Sequence, residues 1–295
     1  MKKALCQDIL GRPVIKLFGY LLTFFYWTGV FFPAFLPLPT ALAGHLAFGL
    51  FALLIARGVR RTSNHFLYFV RLLAAAVSSE FILFLCRRYL GLWSFGPNAL
   101  FTYAASLSLM AGLSMVIGSY RDMVIQAMPA GGEINRKALF GLPVHPGNFR
   151  MAPAAGLILG FLTLLLSVFV TLYFDFSNGL FGLLFIPAAF MAMDDLPASR
   201  QGTRWRTILA GRQELFRVLL FTTVSGLLSL LWILATAAFN SWSQIFHLLG
   251  ILAALPAFLL PEFSGHRKNK VIRRLPYAVM PAILLLLFLI RSILF

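Results

Sequence analysis

Charged residues are scarce in this chain, and acidic residues are the scarcest of them. Only 12% of the 295 residues are Asp, Glu, Lys or Arg, and only nine are acidic. Soluble domains carry about 25% charged residues. Here 60% of the residues are hydrophobic, and the mean hydropathy is +0.87. No long polar block interrupts the apolar segments, so the sequence predicts one integral membrane domain over residues 1–295.

The signatures of many soluble enzymes and of disulfide-rich proteins are also missing. The two cysteines, Cys6 and Cys86, fall at opposite ends of two predicted helices, so we expect no disulfide framework. The five histidines show no His-x-x-x-His spacing, and hence no metal site is predicted. The sequence also lacks a Gly-rich phosphate loop, a serine nucleophile elbow and a cysteine-based catalytic motif.

Long apolar runs dominate what remains. A transmembrane helix needs about 17–25 consecutive, mostly apolar residues. Runs of roughly this length predict an all-α polytopic membrane protein with about nine transmembrane helices. The predicted spans are about 14–36, 41–57, 64–86, 98–118, 154–173, 178–193, 215–239, 243–260 and 275–294.

The basic residues are distributed unevenly between the two sides of this arrangement. Twenty Lys and Arg residues lie in the N-terminus and in the second, fourth, sixth and eighth connections. The other side holds only Arg87, Arg88 and Arg291. Because Lys and Arg accumulate in cytoplasmic loops, the N-terminus is predicted to be cytoplasmic and the C-terminus outside. The net charge of +16 then reflects topology and contact with the lipid bilayer, and we expect no nucleic-acid partner.

A cleaved signal peptide is the alternative interpretation of the N-terminus. The cleavage site would be Ala41-Leu42-Ala43, before Gly44. The preceding apolar run is about twice the usual 7–15 residues and contains several prolines. A first transmembrane helix is therefore favoured.

Two ionisable residues lie deep in the third predicted span, "YFVRLLAAAVSSEFILFLC" (68–86). Arg71 and Glu80 are separated by about 13.5 Å along a helix and lie on opposite sides of it, so they cannot pair with each other. The long stem of Arg71 can reach back to the interface, and Glu80 can be a neutral, protonated acid. The other interpretation is a functional polar pocket, which Ser78 and Ser79 would help to line. His45 is likewise either a surface histidine or a catalyst.

A family resemblance bears on whether these polar residues are structural or form a functional site. The segments "GHLAFGLFALLIARGVRRTSNHFLYFVRLLAAAVSSEFILFL" (44–85) and "NALFTYAASLSL" (98–109) resemble the TraX family of integral membrane proteins. Weaker similarity extends to "NGLFGLLFIPAAF" (178–190) and "LPYAVMPAILLLL" (275–287). Residues at family-matching positions are Gly44, Ala47, Phe48, Phe51, Ala52, Thr62, Asn64, Arg71, Leu72, Ser79, Glu80, Asn98, Phe101 and Thr102.

The resemblance implies an activity and a set of site residues. The family acetylates the N-terminus of a conjugative pilin with acetyl-CoA as the expected donor, so it implies a multi-pass acyltransferase of the bacterial inner membrane. The substrate would be a pilin or another exported or envelope molecule. The resemblance implies Glu80 and Arg71 as catalytic residues, and His45 is a further catalytic candidate as a substitute for the family's missing base. The residues expected to line the pocket are Tyr26, Trp27, Ser79, Asn98 and Thr102.

The chain departs from the family pattern at the positions most relevant to proton transfer. Lys16 and Gly29 keep the register of the first helix, but the family's Asp-His pair is Tyr26-Trp27 here. The family's Arg after Gly44 is His45, and the histidine of its closing helix falls at Ile283. Since tryptophan cannot act as a base, two alternatives stay open. One is a non-catalytic assembly or scaffold subunit, and the other is a small transporter that uses Glu80 as a proton-coupled carboxyl.

Overall fold

Every regular element in the computed structural model, within the part of the chain that it describes, is an α-helix. The structure describes residues 2–33, 37–62, 64–92, 98–127, 152–192, 223–224, 226–228, 230–231 and 270–294. Its helices are α1 (Lys2–Phe31), α2 (Pro37–Arg61), α3 (His65–Leu90), α4 (Ala99–Ala127), α5 (Pro153–Tyr173), α6 (Gly179–Ala192) and α7 (Lys270–Leu294). The described residues between 223 and 231 are helical as well.

Five of these helices are long and apolar enough to cross a membrane. The qualifying segments are Pro39–Ala56, His65–Leu90, Ala99–Val124, Pro153–Tyr173 and Tyr277–Leu294. Shorter apolar helices occur at Ile15–Phe31 and Gly179–Phe190. The prediction of an all-helical chain with several candidate membrane spans is therefore confirmed for the described residues, while the count of nine and the orientation of the termini stay predictions. Of the other predicted spans, 215–239 is described over only a few residues, and 243–260 lies outside the described residues.

The helix boundaries differ from the apolar runs for local reasons. α1 ends at Phe31 rather than near 36, two residues before Pro33, and the residue that precedes a proline disfavours the helical conformation. α2 begins at Pro37 because proline is tolerated in the first turn of a helix. α3 begins after Asn64, whose side-chain oxygen accepts a hydrogen bond from the Leu67 amide at 2.8 Å. It ends at Leu90, and the next residue, Gly91, forms the C-terminal cap with φ at +64°.

The core forms where helices from distant parts of the chain meet. α6 packs between α2 and α4, and Phe181, Phe185 and Phe190 are almost fully buried there. A second cluster joins α1, α3 and α7 around Phe31, Leu83 and Leu284. By contrast α5 packs chiefly on α4 and leaves most of its surface exposed, as expected for a helix that contacts lipid.

Glycines allow α4 and α5 to approach closely. A Cβ atom on Gly160 would lie 2.7 Å from the Val116 Cγ2 atom and 2.9 Å from the Val116 backbone nitrogen. A Cβ atom on Gly112 would lie 2.9 Å from the carbonyl oxygen of Gly160. The contact is therefore backbone against backbone, which is how small residues bring membrane helices together.

Gly160→Ala is expected to destabilise the protein although alanine is the better helix former by about 1 kcal/mol. The added methyl group would overlap the backbone of α4, and overpacking of this kind costs about 1–3 kcal/mol. Thermal unfolding in detergent would measure the loss. Leu162→Ala, on the exposed side of α5, is the control. A melting temperature that rises in Gly160→Ala would contradict the close crossing.

Candidate functional site

A large cavity runs along the bundle between α1, α2, α3, α4 and α7, and residues of the turn that joins α5 to α6 line one of its ends. Its volume is about 1020 Å³. On α1 its wall extends from Lys16 to Val30, and on α2 from Gly44 to Gly58. Each stretch corresponds to about 21 Å at 1.5 Å per residue. The cavity therefore extends over roughly two-thirds of a hydrocarbon core of about 30 Å.

The two ends of the cavity carry different polar groups. At one end, here the Lys16 end, the wall includes Lys16, Tyr20, Tyr68 and Tyr277. The opposite end, the Asn98 end, is formed by Pro33, Asn98, Asp175, Ser177 and Asn178.

The structure brings four of the predicted site residues to the cavity wall, namely Tyr26, Trp27, His45 and Asn98. The ring of Tyr26 lies directly over Gly44, because a Cβ atom on Gly44 would come 2.5 Å from the Tyr26 Cδ2 atom. His45 follows Gly44 in α2. The ring centroids of Tyr26 and Trp27 are 5.3 Å apart in an edge-on arrangement. The two positions where the resemblance expects Asp and His thus form an aromatic part of the wall.

Glu80 does not line the cavity, and its carboxylate is instead bound by two residues near the end of α3 and the start of α4. The Arg87 Nη2 atom donates a hydrogen bond to Glu80 Oε1 at 2.8 Å. The Asn98 side-chain amide donates to Glu80 Oε2 at 3.3 Å, and the Asn98 backbone amide lies 3.4 Å from the same oxygen. About a quarter of each side chain of the ion pair is exposed.

Asn98 connects this ion pair to the cavity. Its side-chain oxygen accepts a hydrogen bond from the Leu100 amide at 3.0 Å, which caps the first turn of α4. Its side-chain amide also donates to the Ala76 carbonyl at 3.0 Å. The carboxylate of Glu80 therefore lies at the positive end of the α4 dipole. The group Glu80, Arg87 and Asn98, called the α3–α4 clamp below, fixes one corner of the cavity wall.

Sequence reasoning missed Arg87, which it assigned to a connection on the basis of its charge. A signal was present in the spacing, because residues seven apart on a helix lie on nearly the same face. Glu80 and Arg87 have that spacing.

Arg71 lies near the Lys16 end of the cavity and outside the residues that line it. It follows Tyr68 by three residues in α3, and the ring of Tyr68 meets that of Tyr277 edge-on with centroids 6.2 Å apart. The ion pair of the predicted site is that of Glu80 with Arg87, and Arg71 is not part of it.

Ser79 and Thr102 are buried outside the cavity. The hydroxyl of Thr102 donates a hydrogen bond to the Ser177 carbonyl and so ties α4 to the α5–α6 turn. The hydroxyl oxygen of Ser79 has no hydrogen-bond partner within the described ranges. In those same ranges no three His, Cys, Asp or Glu side chains are grouped as metal ligands.

Arg87→Gln is expected to lower the free energy of unfolding by about 1–3 kcal/mol. This loss lies between the small contribution of an exposed ion pair and the larger loss that follows when one partner of a buried ion pair is removed. The reason is that the substitution leaves the Glu80 carboxylate with hydrogen bonds from Asn98 alone. Arg88→Gln is the matched control, because Arg88 is the next residue and is exposed. Unfolding of both variants in the same detergent would measure the difference. Equal stability of the two would show that the ion pair contributes nothing.

Comparison with known proteins adds neither a family nor a relative. No family model matches the chain, and neither a curated protein nor a solved structure matches it at a significant level. The residues of the cavity and of the α3–α4 clamp are therefore the basis for a proposal about function.

Proposed function

We propose that this chain is a TraX-like membrane acyltransferase that takes its acyl group from an acyl-CoA, with acetyl-CoA as the family's expected donor. The acceptor would be a pilin or another exported or envelope molecule. One observation carries the proposal. Tyr26, Trp27, His45 and Asn98, which come from separate segments of the resemblance, share the wall of one cavity that runs about 21 Å along the bundle.

The chemistry of acyl transfer to an amine sets what the site must supply. The amine nitrogen attacks the thioester carbonyl carbon, a C–N bond forms, and the C–S bond breaks. The proton lost by the amine must reach a base and finally the departing CoA thiolate. His45 is the histidine among the described residues of the wall, so we assign it the role of base. Glu80 then acts as a positioning residue, because it reaches the cavity through Asn98.

The proposal includes a topology. With about nine spans and a cytoplasmic N-terminus, the Lys16 end of the cavity faces the cytoplasm, where acyl-CoA is present. The Asn98 end then faces the outer side of the bacterial inner membrane, where an envelope substrate would arrive. The excess of Lys and Arg on the side of the N-terminus supports this orientation.

A non-catalytic scaffold is the second candidate, and one observation favours it. The hydrogen bonds of the α3–α4 clamp give Glu80 a structural purpose that needs no catalysis. No such observation favours a proton-coupled transporter, because Glu80 lies outside the cavity wall and its carboxylate is bound by Arg87 and Asn98.

His45→Gln is expected to reduce kcat by about 10²–10⁴-fold, the usual contribution of a general base. Protein in lipid nanodiscs would be incubated with radiolabelled acetyl-CoA, and both CoA release and labelled product would be followed. His65→Gln is the matched control, because His65 contacts the Val59 carbonyl outside the cavity. Unchanged turnover in His45→Gln would remove His45 as the base. A folded wild-type protein without turnover or acetyl-CoA binding would favour the scaffold.

A reporter fused after Phe295 is expected to lie outside the cytoplasm, because an odd number of spans separates it from the N-terminus. Alkaline phosphatase, which is active only outside the cytoplasm, and a green fluorescent protein, which is fluorescent only inside it, would be fused at this position. As a control, the same reporters would be inserted in the predicted cytoplasmic connection at 194–214. There the green fluorescent protein is expected to be fluorescent and the phosphatase inactive. Fluorescence of the fusion at Phe295 would contradict the nine-span topology.

A further inference from the structure

The cavity is far larger than an acetyl group requires. Ligand pockets usually enclose about 300–1000 Å³, and this cavity has a volume of about 1020 Å³. Between its polar ends the wall is mostly hydrophobic, with Phe48, Phe51, Leu72, Val279 and Ile283 facing the space. A two-carbon acyl group would leave most of this apolar wall without a partner.

The length of the cavity suits one extended hydrocarbon chain. A lipid chain in one leaflet occupies half of a hydrocarbon core of about 30 Å, which is about 15 Å. The cavity wall extends over about 21 Å along both α1 and α2. The remaining length leaves room for part of a polar head group at one end.

The charges decide which end would receive that head group. The Lys16 end offers the ammonium group of Lys16 and the phenols of Tyr20, Tyr68 and Tyr277. Ammonium and phenol groups are hydrogen-bond donors, which suits them to phosphate or carboxylate oxygens. The Asn98 end carries the acidic Asp175, so it is unfavourable for an anion.

We infer that the cavity binds a long-chain acyl amphiphile whose anionic head group lies at the Lys16 end and whose chain runs past Trp27 toward Asn98. The carbonyl of a molecule bound in this direction lies at the Lys16 end, about 15 Å along α1 from Tyr26. His45 lies at the level of Tyr26, because the Tyr26 ring covers Gly44. The amphiphile is therefore a further ligand of the cavity and not the acyl donor of the proposed function. A long-chain acyl-CoA and an anionic phospholipid share this chemistry.

Tryptophan quenching tests the position and direction of the chain. Trp27 is 6% exposed and lines the cavity about 16 Å along α1 from Lys16. Stearate with bromine atoms near its methyl end is expected to quench Trp27, and stearate with bromine atoms beside the carboxylate is not. Quenching is measured in the wild type and in Trp27→Phe, and the difference between the two values gives the quenching of Trp27 without that of the other tryptophans. Stearoyl-CoA, an anionic lysophospholipid and neutral monostearin would then compete for the site, and the first two distinguish a CoA head group from a phospholipid head group.

Two pairs of variants test the chain and the head group separately. Ala75→Phe places a ring in the middle of the cavity and is expected to weaken stearate binding by about tenfold or more, while binding of octanoate persists. Ala74→Phe is its control, because Ala74 is exposed and lies outside the cavity.

The head group is tested with Lys16→Gln. This variant is expected to remove the preference for stearate over monostearin, which is an affinity ratio of about tenfold for one charged contact. Arg88→Gln, far from the Lys16 end, is the control.

The outcomes separate this inference from the proposed function. Quenching of Trp27 by the methyl-end probe alone, with competition by anionic long-chain molecules, supports the inference even if no acyl transfer is detected. Turnover of acetyl-CoA without binding of stearate keeps the acyltransferase and overturns the long-chain ligand. Equal quenching by both probes, or equal competition by monostearin, overturns the proposed direction. The wild-type measurements decide these points even if Ala75→Phe fails to fold.

Discussion

The hydrogen-bonded charge of Glu80 is the constraint around which this part of the bundle is arranged. A charged side chain in the hydrocarbon region costs several kcal/mol unless it is paired or solvated. Arg87 balances the charge from the same helix, and Asn98 binds the second carboxylate oxygen from the start of the next one. The partners must all be present at once, so the relative position of α3 and α4 is fixed at this corner. The place of Asn98 in the cavity wall follows from the same contacts.

Sequence reasoning predicted the helices well because the bilayer leaves few alternatives. Backbone groups in lipid must be satisfied within a helix or a closed barrel, and the thickness of the hydrocarbon core sets the span length. The ends of the helices were less predictable. α4 continues to Ala127, beyond the predicted end near 118, since a helix can extend into the polar region where hydropathy no longer detects it. The prolines around residue 37 similarly determine where α1 stops and α2 starts.

The candidate site was only partly predictable, for a physical reason. Tyr26, Trp27, His45 and Asn98 were found because they occupy positions that the family resemblance marks. Tyr20, Tyr68 and Tyr277 carried no signal, since they look like ordinary interfacial aromatics until α1, α3 and α7 pack together. Arg87 was missed because a basic residue near a helix end is explained equally well by topology. Sequence spacing can identify two side chains that contact each other only when both lie on one helix, as Glu80 and Arg87 do.

The burial of α6 has a consequence for how the chain enters the membrane during synthesis. The large side chains of this helix, among them Phe181 and Phe185, are buried against α2 and α4. Both of those helices precede α6 in the chain, so their surfaces already exist when the ribosome produces it. Insertion of α6 is thus a docking step onto earlier segments, and the order of the helices in the gene becomes part of the assembly mechanism.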